Sequence, residues 1–255
     1  MAWLDGPLGQ TILDAETHLL ARLLDDWPPI RQALCVAPQA GAPLLQAVAE
    51  RSRLSYQLVP AVDEGVGGHP GTTPRSPRLV WGMPESLPFP SGELDLVVLQ
   101  HPLEFSRAPY RVLAEVERTL APGGRLVAFV FNPVSLFGLR RPFQPRKRRR
   151  GPWRGRFFPG FMLRRMVESA GLTHERNRYL FFRPPAERPG VLRATRFLDR
   201  LPRRTLLPFG GVVCLQARKD EPGMTLLGPA FRQELAQAGR GRIPAYPQGI
   251  WHGRD

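Results

Sequence analysis

Two apolar runs joined by a helical segment constrain the fold more than any other feature of this sequence. Leu94–Leu99 and Arg125–Phe131 are almost continuously apolar, which is typical of strands buried on both faces. Between them, apolar residues at helical spacing follow Pro109 and stop before the Pro-Gly-Gly turn at 122–124. We therefore expect a helix there, with Ser106 as its N-cap. The order strand, helix, strand predicts a parallel, doubly wound α/β sheet.

Similar patterns run along most of the chain. An amphipathic helix is predicted over Thr11–Asp26, ahead of the sheet, and further helices at Pro43–Glu50 and Phe161–Ala170. With 255 residues, of which 42% are hydrophobic, the chain is long enough to bury a substantial core. The remaining predicted strands are Ala33–Ala37, Ser55–Val59, Arg78–Trp81, Asn177–Phe182 and Gly211–Gln216.

These elements predict one main domain with additions at both ends. Residues 1–30 form a helical lead-in, and residues 31–218 form the α/β domain. Within that domain we expect a basic insert at 138–160 and a second basic segment at 184–208. Residues 219–255 are rich in Gly, Pro and Arg, and we expect a partly disordered tail with a short helix at its centre.

The cysteines and the N-terminus narrow the class of protein. Cys35 and Cys214 are far apart in sequence and lie in apolar runs, so we expect buried free thiols, with neither a disulfide framework nor a zinc site. The N-terminus lacks a basic region followed by an apolar stretch, and no segment approaches the roughly 18 apolar residues of a membrane span. These features predict a cytoplasmic protein without a transmembrane segment.

Two longer motifs resemble a known family. LPFPSGELDLVVLQHPLEF at 87–105 and VLAEVERTLAPGGRLV at 112–127 resemble the methyltransferase type 11 domain of the class I S-adenosylmethionine-dependent methyltransferases. PLGQTIL at 7–13, FNPVSLFGLRR at 131–141 and GMTLL at 223–227 are similar to a bacterial branch of that family. The resemblance implies a Rossmann-like seven-stranded doubly wound sheet with helices on both faces and an antiparallel last strand.

The resemblance also implies S-adenosyl-L-methionine as the cofactor and methyl transfer to an acceptor that the sequence does not identify. The cofactor would lie at the carboxyl ends of the strands. Three of the family's acidic positions hold other residues here, and two glycines of its first turn are replaced. The positions that correspond to its cofactor site are Ala37, Gln39, Gly41, Asp63 with its neighbour Glu64, Met83, Glu85 and Gln100.

These replacements should weaken cofactor binding. Ala37 and Gln39 stand where the family has glycines, so only Gly41 of that turn remains. Glycine allows positive φ and leaves no Cβ in the path of a ligand. Met83 stands where the third strand should supply an acid, and Asp63 is displaced from the position of the second-strand acid.

His101 follows the fourth strand, where the family lines its reaction centre. A neutral imidazole there would accept a proton from a substrate hydroxyl or amine, which makes His101 a catalytic candidate. The alternative is that His101 only fills the wall of the pocket. Glu104 lies three residues further on and could tie the turn to the next helix.

The positive charge of the chain is regional. Residues 138–206 contain 20 Arg and Lys against 4 Asp and Glu, a net charge of +16, whereas the whole chain carries +14. Arginine mixed with aromatic residues suits phosphate contact and base stacking, so residues 140–156 could bind nucleic acid or another polyanion. Alternatives are an anionic membrane surface, or a solvated loop decorated by a genomic preference for Arg. The candidate polyanion-binding residues are Arg146, Arg148, Arg149, Arg150 and Trp153.

Two functions therefore remain open at this point. One is an S-adenosylmethionine-dependent methyltransferase, in which positioning of the substrates and exclusion of water do most of the catalysis. The other is a non-catalytic relative that binds nucleic acid or protein through its Arg-rich region. Binding of the cofactor would distinguish them.

Overall fold

A seven-stranded sheet forms the centre of the protein. The computed structural model describes residues 6–37, 43–59, 77–140, 151–186, 188–200 and 208–220. In chain order the strands are β1 (Ile30–Val36), β2 (Ser52–Val59), β3 (Arg78–Trp81), β4 (Leu94–Gln100), β5 (Leu120–Phe131), β6 (Thr173–Leu180) and β7 (Val212–Arg218).

The order of the strands creates a switch point in the sheet. Their spatial order is β3-β2-β1-β4-β5-β7-β6, so the chain first builds outward from β1 and then returns to place β4 on its other side. Strands β1 to β5 pair in parallel, whereas β7 is antiparallel to both β5 and β6. This arrangement confirms the predicted doubly wound sheet with an antiparallel last strand.

Helices cover both faces of the sheet. They are α1 (Pro7–Asp25), α2 (Pro43–Arg51), α3 (Pro102–Phe105), α4 (Pro109–Thr119), α5 (Leu136–Arg140), α6 (Gly160–Ser169) and α7 (Pro189–Ala194), with 3₁₀ turns at Gly151–Arg154 and Arg196–Arg200. Alternate strand residues point to opposite faces. Ala33 and Cys35 of β1 pack in the cluster that contains α1 and α2, while Leu34 and Val36 pack in the cluster that contains α4 and α6.

Helix α1 is part of the core. Its apolar residues Leu8, Ile12, Leu20 and Leu23 are buried in the same cluster as residues of β1, β4 and β5. Removing this much apolar surface from water is the dominant favourable term in folding. The segment predicted as a lead-in therefore packs directly on the sheet, and it carries the buried Glu16 into the core.

Some local predictions are wrong at the element ends. Ser106 does not cap α4, because Ala108 is the N-cap residue and no side chain caps the helix. The Ser106 hydroxyl accepts a hydrogen bond from the Ala108 N–H and donates one to Glu85. Strand β6 begins at Thr173 rather than Asn177, because it is an edge strand whose first half is polar and therefore lacks the apolar signal of a central strand.

Other predictions concern buried thiols and the membrane. Cys35 and Cys214 are free and buried, as expected, and burial raises the pKa of both thiols. Among the helices that the structure describes, none is long and apolar enough to cross a membrane. The predicted tail helix lies outside the described residues, and the cytoplasmic location stays a prediction.

Candidate functional site

A pocket of about 210 Å³ lies at the carboxyl edge of the sheet, beside the switch point between β1 and β4. Ligands of open α/β sheets bind at such a point, because the loops on the two sides diverge there. The pocket is lined by Val36, Ala37, Met83, Pro84, Glu85, Gln100, His101, Pro102, Phe105 and Ser106.

The structure brings five of the predicted site residues together in this pocket. Ala37, Met83, Glu85, Gln100 and His101 all line this pocket, although they come from three different strand ends. The other predicted cofactor residues, Gln39, Gly41, Asp63 and Glu64, lie outside the described residues. The parts that these residues play in binding remain predictions.

The wall formed by the residues after β1 and β3 is mainly apolar and partly open. Ala37 is buried, whereas the side chain of Met83 is 45% exposed. Glu85 provides the carboxylate of this wall, and its Oε1 accepts a hydrogen bond from the Ser106 hydroxyl at 2.5 Å. We call this side the β1/β3 wall.

The opposite side, which we call the β4 wall, is buried and charged. It consists of Gln100 and His101 in the pocket, with Glu16 and Glu104 against them. Their exposed fractions are between 0% and 2%. Charged groups are seldom buried to this extent unless they are paired and hydrogen-bonded.

Hydrogen bonds join these four residues into one network. The His101 Nε2 lies 2.8 Å from Glu16 Oε1, and Nδ1 lies 2.8 Å from Glu104 Oε1. Gln100 Nε2 donates to Glu16 Oε2 at 2.7 Å, and the Phe131 N–H donates to Glu104 Oε1 at 2.8 Å. Glu16 thus holds the side chains of two consecutive pocket residues.

The local backbone fixes the imidazole. His101 has φ of 62°, in the left-handed region, which is uncommon for a residue other than glycine and costs of order 1–3 kcal/mol. Its N–H donates to the Phe129 carbonyl at 3.0 Å, and its ring stacks on Phe131 with the centroids 4.2 Å apart. The ring is therefore held on its face as well as at both nitrogens.

These surroundings argue against His101 as a general base. Burial by itself would lower the pKa of His101, but the charges of Glu16 and Glu104 and their hydrogen bonds raise this pKa to about 10. Both ring nitrogens are already engaged with carboxylates. The predicted neutral imidazole that accepts a substrate proton does not fit this geometry, and His101 instead forms a rigid, charged part of the pocket wall.

Two buried oxygen atoms in the network have no hydrogen-bond partner among the described residues. They are Gln100 Oε1 and Glu104 Oε2. An unpaired buried acceptor costs free energy, so such an atom commonly marks a place where a ligand or water completes the bonding. Gln100 lines the pocket, which makes its Oε1 a candidate ligand contact.

The last part of the basic insert, at residues 155–157, packs over this wall. The Arg156 N–H donates to the Glu104 carbonyl at 2.8 Å, and the Phe157 ring lies 5.4 Å from that of Phe131. This approach requires glycine at position 155, because a Cβ there would lie 2.8 Å from the Cβ of Glu104. The segment covers the network and helps to exclude water from it.

Trp153 has a different place from the one predicted. Its side chain belongs to the hydrophobic core at 6% exposure, and its ring stacks on Phe137 with the centroids 5.9 Å apart. A ring packed inside the protein does not offer a face to a nucleic-acid base, so Trp153 is corrected to a core residue. Arg146, Arg148, Arg149 and Arg150 lie outside the described residues.

Sequence reasoning missed Glu16 altogether. The signal was nevertheless present, because Glu16 lies on the apolar face of α1, with Ile12 and Leu13 before it and Leu19 and Leu20 after it at helical spacing. A carboxylate within an apolar stripe predicts either a buried partner or a functional role. The partner is the histidine that follows β4, 85 positions later in the chain.

Both the sequence and the fold of the chain resemble those of methyltransferases. Residues 66–128 match the family model described as methyltransferase domain. The chain has the class I methyltransferase fold. The resemblance expected from residues 87–127 is thereby confirmed.

Relatives of known structure share this methyltransferase fold at low identity. A SAM-dependent methyltransferase from Thermotoga maritima superposes with a TM-score of 0.57 at 16% identity, over 82% of this chain and 92% of that one. The N-methyltransferase NodS from Bradyrhizobium japonicum WM9, in complex with S-adenosyl-L-homocysteine, superposes with a TM-score of 0.53 at 17% identity, over 86% and 89%. Likeness at this level concerns the fold.

A curated relative matches part of the sequence. The uncharacterized protein YafS from Escherichia coli (strain K12) is 38% identical over 82 residues, which is 32% of this chain and 34% of YafS. The match thus spans about a third of the length of that relative. Within the methyltransferase fold, the activity of the whole protein therefore has to be argued from the pocket.

Proposed function

We propose that the pocket beside β1 and β4 binds S-adenosyl-L-methionine and that the protein transfers the methyl group of this cofactor to an acceptor. The observation that carries the proposal is the position of the pocket. It lies at the switch point of a class I methyltransferase fold, and it is lined by residues from three strand ends. S-adenosylmethionine is the cofactor of the family that residues 66–128 resemble.

The described residues fit such a ligand. Val36, Ala37, Pro84 and Phe105 offer apolar surface for the adenosyl group. Gln100 Oε1, which is buried and without a partner among the described residues, offers an acceptor for a donor group of the ligand. A pocket of mainly apolar lining with a few fixed polar groups is the usual form of a small-molecule site.

Catalysis in this pocket would rest on positioning. The cofactor supplies a methyl group on a positively charged sulfonium, which an acceptor nucleophile can attack directly. The protein holds the reactants in line and excludes water. His101 does not need to move a proton, because its role is to fix the β4 wall.

Calorimetric titration tests the cofactor proposal. Met83→Trp places a large ring on a partly exposed residue of the pocket lining and should weaken S-adenosylmethionine binding at least about tenfold. Val134→Trp is the matched control, because Val134 is 43% exposed and does not line the pocket. If wild type, Met83→Trp and Val134→Trp bind S-adenosylmethionine with equal affinity, or if the wild type does not bind it, the proposal is contradicted.

The acceptor remains to be identified, and we propose a polyanion such as a nucleic acid, bound through residues 140–156. The support is the regional charge of +16 over residues 138–206 and the contact of Arg156 with α3 beside the pocket. Replacing Arg146, Arg148, Arg149 and Arg150 by Ser should weaken RNA or DNA binding and reduce the salt slope by about 3 to 4. An unchanged salt slope would leave this segment as a solvated loop.

A further inference from the structure

The buried network behind the β4 wall carries a net negative charge. Because the two carboxylates raise the pKa of His101, its ring carries two protons near neutral pH, and these lie between one imidazole and the carboxylates of Glu16 and Glu104. If both protons stay on the ring, the charges are −1, +1 and −1. If one proton moves to a carboxylate, the imidazole and that carboxylate are neutral, and the other carboxylate carries −1. The sum is −1 in both cases, so it does not depend on where the shared proton lies.

No second cation neutralises this charge within the described residues. The ion pairs of Glu16 and Glu104 among those residues are the ones with His101. The exposed fractions of the three side chains are 2% or less, and Phe131 covers one face of the imidazole. Water and salt therefore screen the charge weakly.

The network borders the pocket. His101 and Gln100 line the pocket directly, and Glu16 bonds to both of them. Gln100 donates its N–H group to Glu16, which leaves its Oε1 without a partner among the described residues. The network therefore places one excess negative charge behind the imidazole and an acceptor atom at the same wall.

We propose that Glu16, through this network, makes the pocket selective for a cationic ligand, and specifically for the sulfonium of S-adenosylmethionine over the neutral thioether of S-adenosylhomocysteine. The inference rests on the proposed function. Its new element is that a helix outside the matched methyltransferase region supplies the charge that distinguishes substrate from product.

Such selectivity would assist product release. In methyl transfer, the lone pair of the acceptor forms the new bond to carbon, and the carbon–sulfur bond breaks with its electron pair left on sulfur. The ligand thereby loses one positive charge. Attraction to the network decreases at that moment, so the product dissociates more readily than the substrate.

The test is the ratio of the two affinities, measured by calorimetry for wild type and Glu16→Gln. Glutamine keeps the shape of glutamate and removes one charge. We expect the preference for S-adenosylmethionine over S-adenosylhomocysteine to fall about tenfold, with the affinity for S-adenosylhomocysteine changed much less. Asp14→Asn is the matched control, because it removes a carboxylate from an exposed position of the same helix and should leave the ratio unchanged.

A second variant and a salt series keep the inference testable if Glu16→Gln does not fold. Glu104→Gln removes the other carboxylate and should lower the ratio to a similar extent. In the wild type, raising NaCl from about 0.05 to about 0.5 M should leave the ratio unchanged, because salt screens buried charges little.

The outcomes distinguish failure of the proposed selectivity from failure of the proposed cofactor binding. If the wild type binds both ligands and the glutamine variants keep its ratio, the inference is overturned while the proposed function stands. A wild-type ratio that collapses with salt overturns it as well, even if neither variant folds. If the wild type binds neither ligand, the proposed function itself fails.

Discussion

The two walls of the pocket differ in almost every respect. The β1/β3 wall carries Met83 where the resemblance implies an acid, and that side chain is 45% exposed. The β4 wall holds two carboxylates and an imidazole whose exposed fractions are 2% or less. One side of the site is mainly apolar apart from Glu85, whereas the other contains a buried polar network.

The difference shows which elements supply the buried charge of the pocket. Ligands of open α/β sheets bind at the switch point, and the buried charge beside it comes here from α1 and α3. Buried charged groups cost much free energy when they lose their partner. The β4 wall should therefore be essential for the fold, and the β1/β3 wall adjustable.

The largest effect should come from breaking the network. His101→Ala leaves Glu16 and Glu104 buried without their shared partner, and should lower the free energy of unfolding by about 3–5 kcal/mol. Met83→Ala, on the other wall, should change it by less than about 0.5 kcal/mol. Denaturant unfolding measures both, and His18→Ala, an exposed histidine of α1, is the control. If His101→Ala and Met83→Ala lower the free energy of unfolding by similar amounts, the two walls do not differ in their importance for the fold.

A smaller gain is expected from repairing the β1/β3 wall. The double variant Gln39→Gly, Met83→Asp restores a turn glycine and an acid that the resemblance implies, and should bind S-adenosylmethionine up to about a hundredfold more tightly. The comparison is calorimetric titration against wild type, with folding confirmed for both. Tight binding by wild type that the two changes weaken would mean that this wall holds the cofactor in another way.

The pH dependence of the free energy of unfolding should report the contribution of His101 in the network. The pKa of His101 is raised to about 10, above about 6.5 for an unfolded histidine. Its contribution is therefore fully present below pH about 6.5 and is lost as the pH rises towards 10, at up to about 1.4 kcal/mol per pH unit. Unfolding of wild type and His101→Gln across that range gives the difference, in which the cysteine contributions cancel. A pH-independent difference would show that the imidazole carries no excess proton in the fold.

The sheet was predictable because its signals are local. Strands that are buried on both faces have continuous apolar runs such as Leu94–Leu99. A helix and a turn with their own local sequence signals separate these runs. Edge strand β6 was placed imprecisely, since three of its first four residues are exposed and its sequence lacks that pattern.

The site was predictable only in part, because its parts come from distant segments. Residues such as Gln100 and His101 could be assigned through the family motif at the end of β4. Their pairing with Glu16 depends on how α1 packs on the sheet, which no local pattern encodes. The burial of Trp153, which the sequence places within a basic segment, could not be predicted for the same reason.

The most direct test of the account is a crystal structure of the protein grown with saturating S-adenosylmethionine. We predict electron density for the ligand between Ala37 and Gln100, with a ligand donor within hydrogen-bonding distance of Gln100 Oε1 and with the Glu16–His101–Glu104 network unchanged. Ligand density elsewhere on the protein, with this pocket empty, would contradict the account.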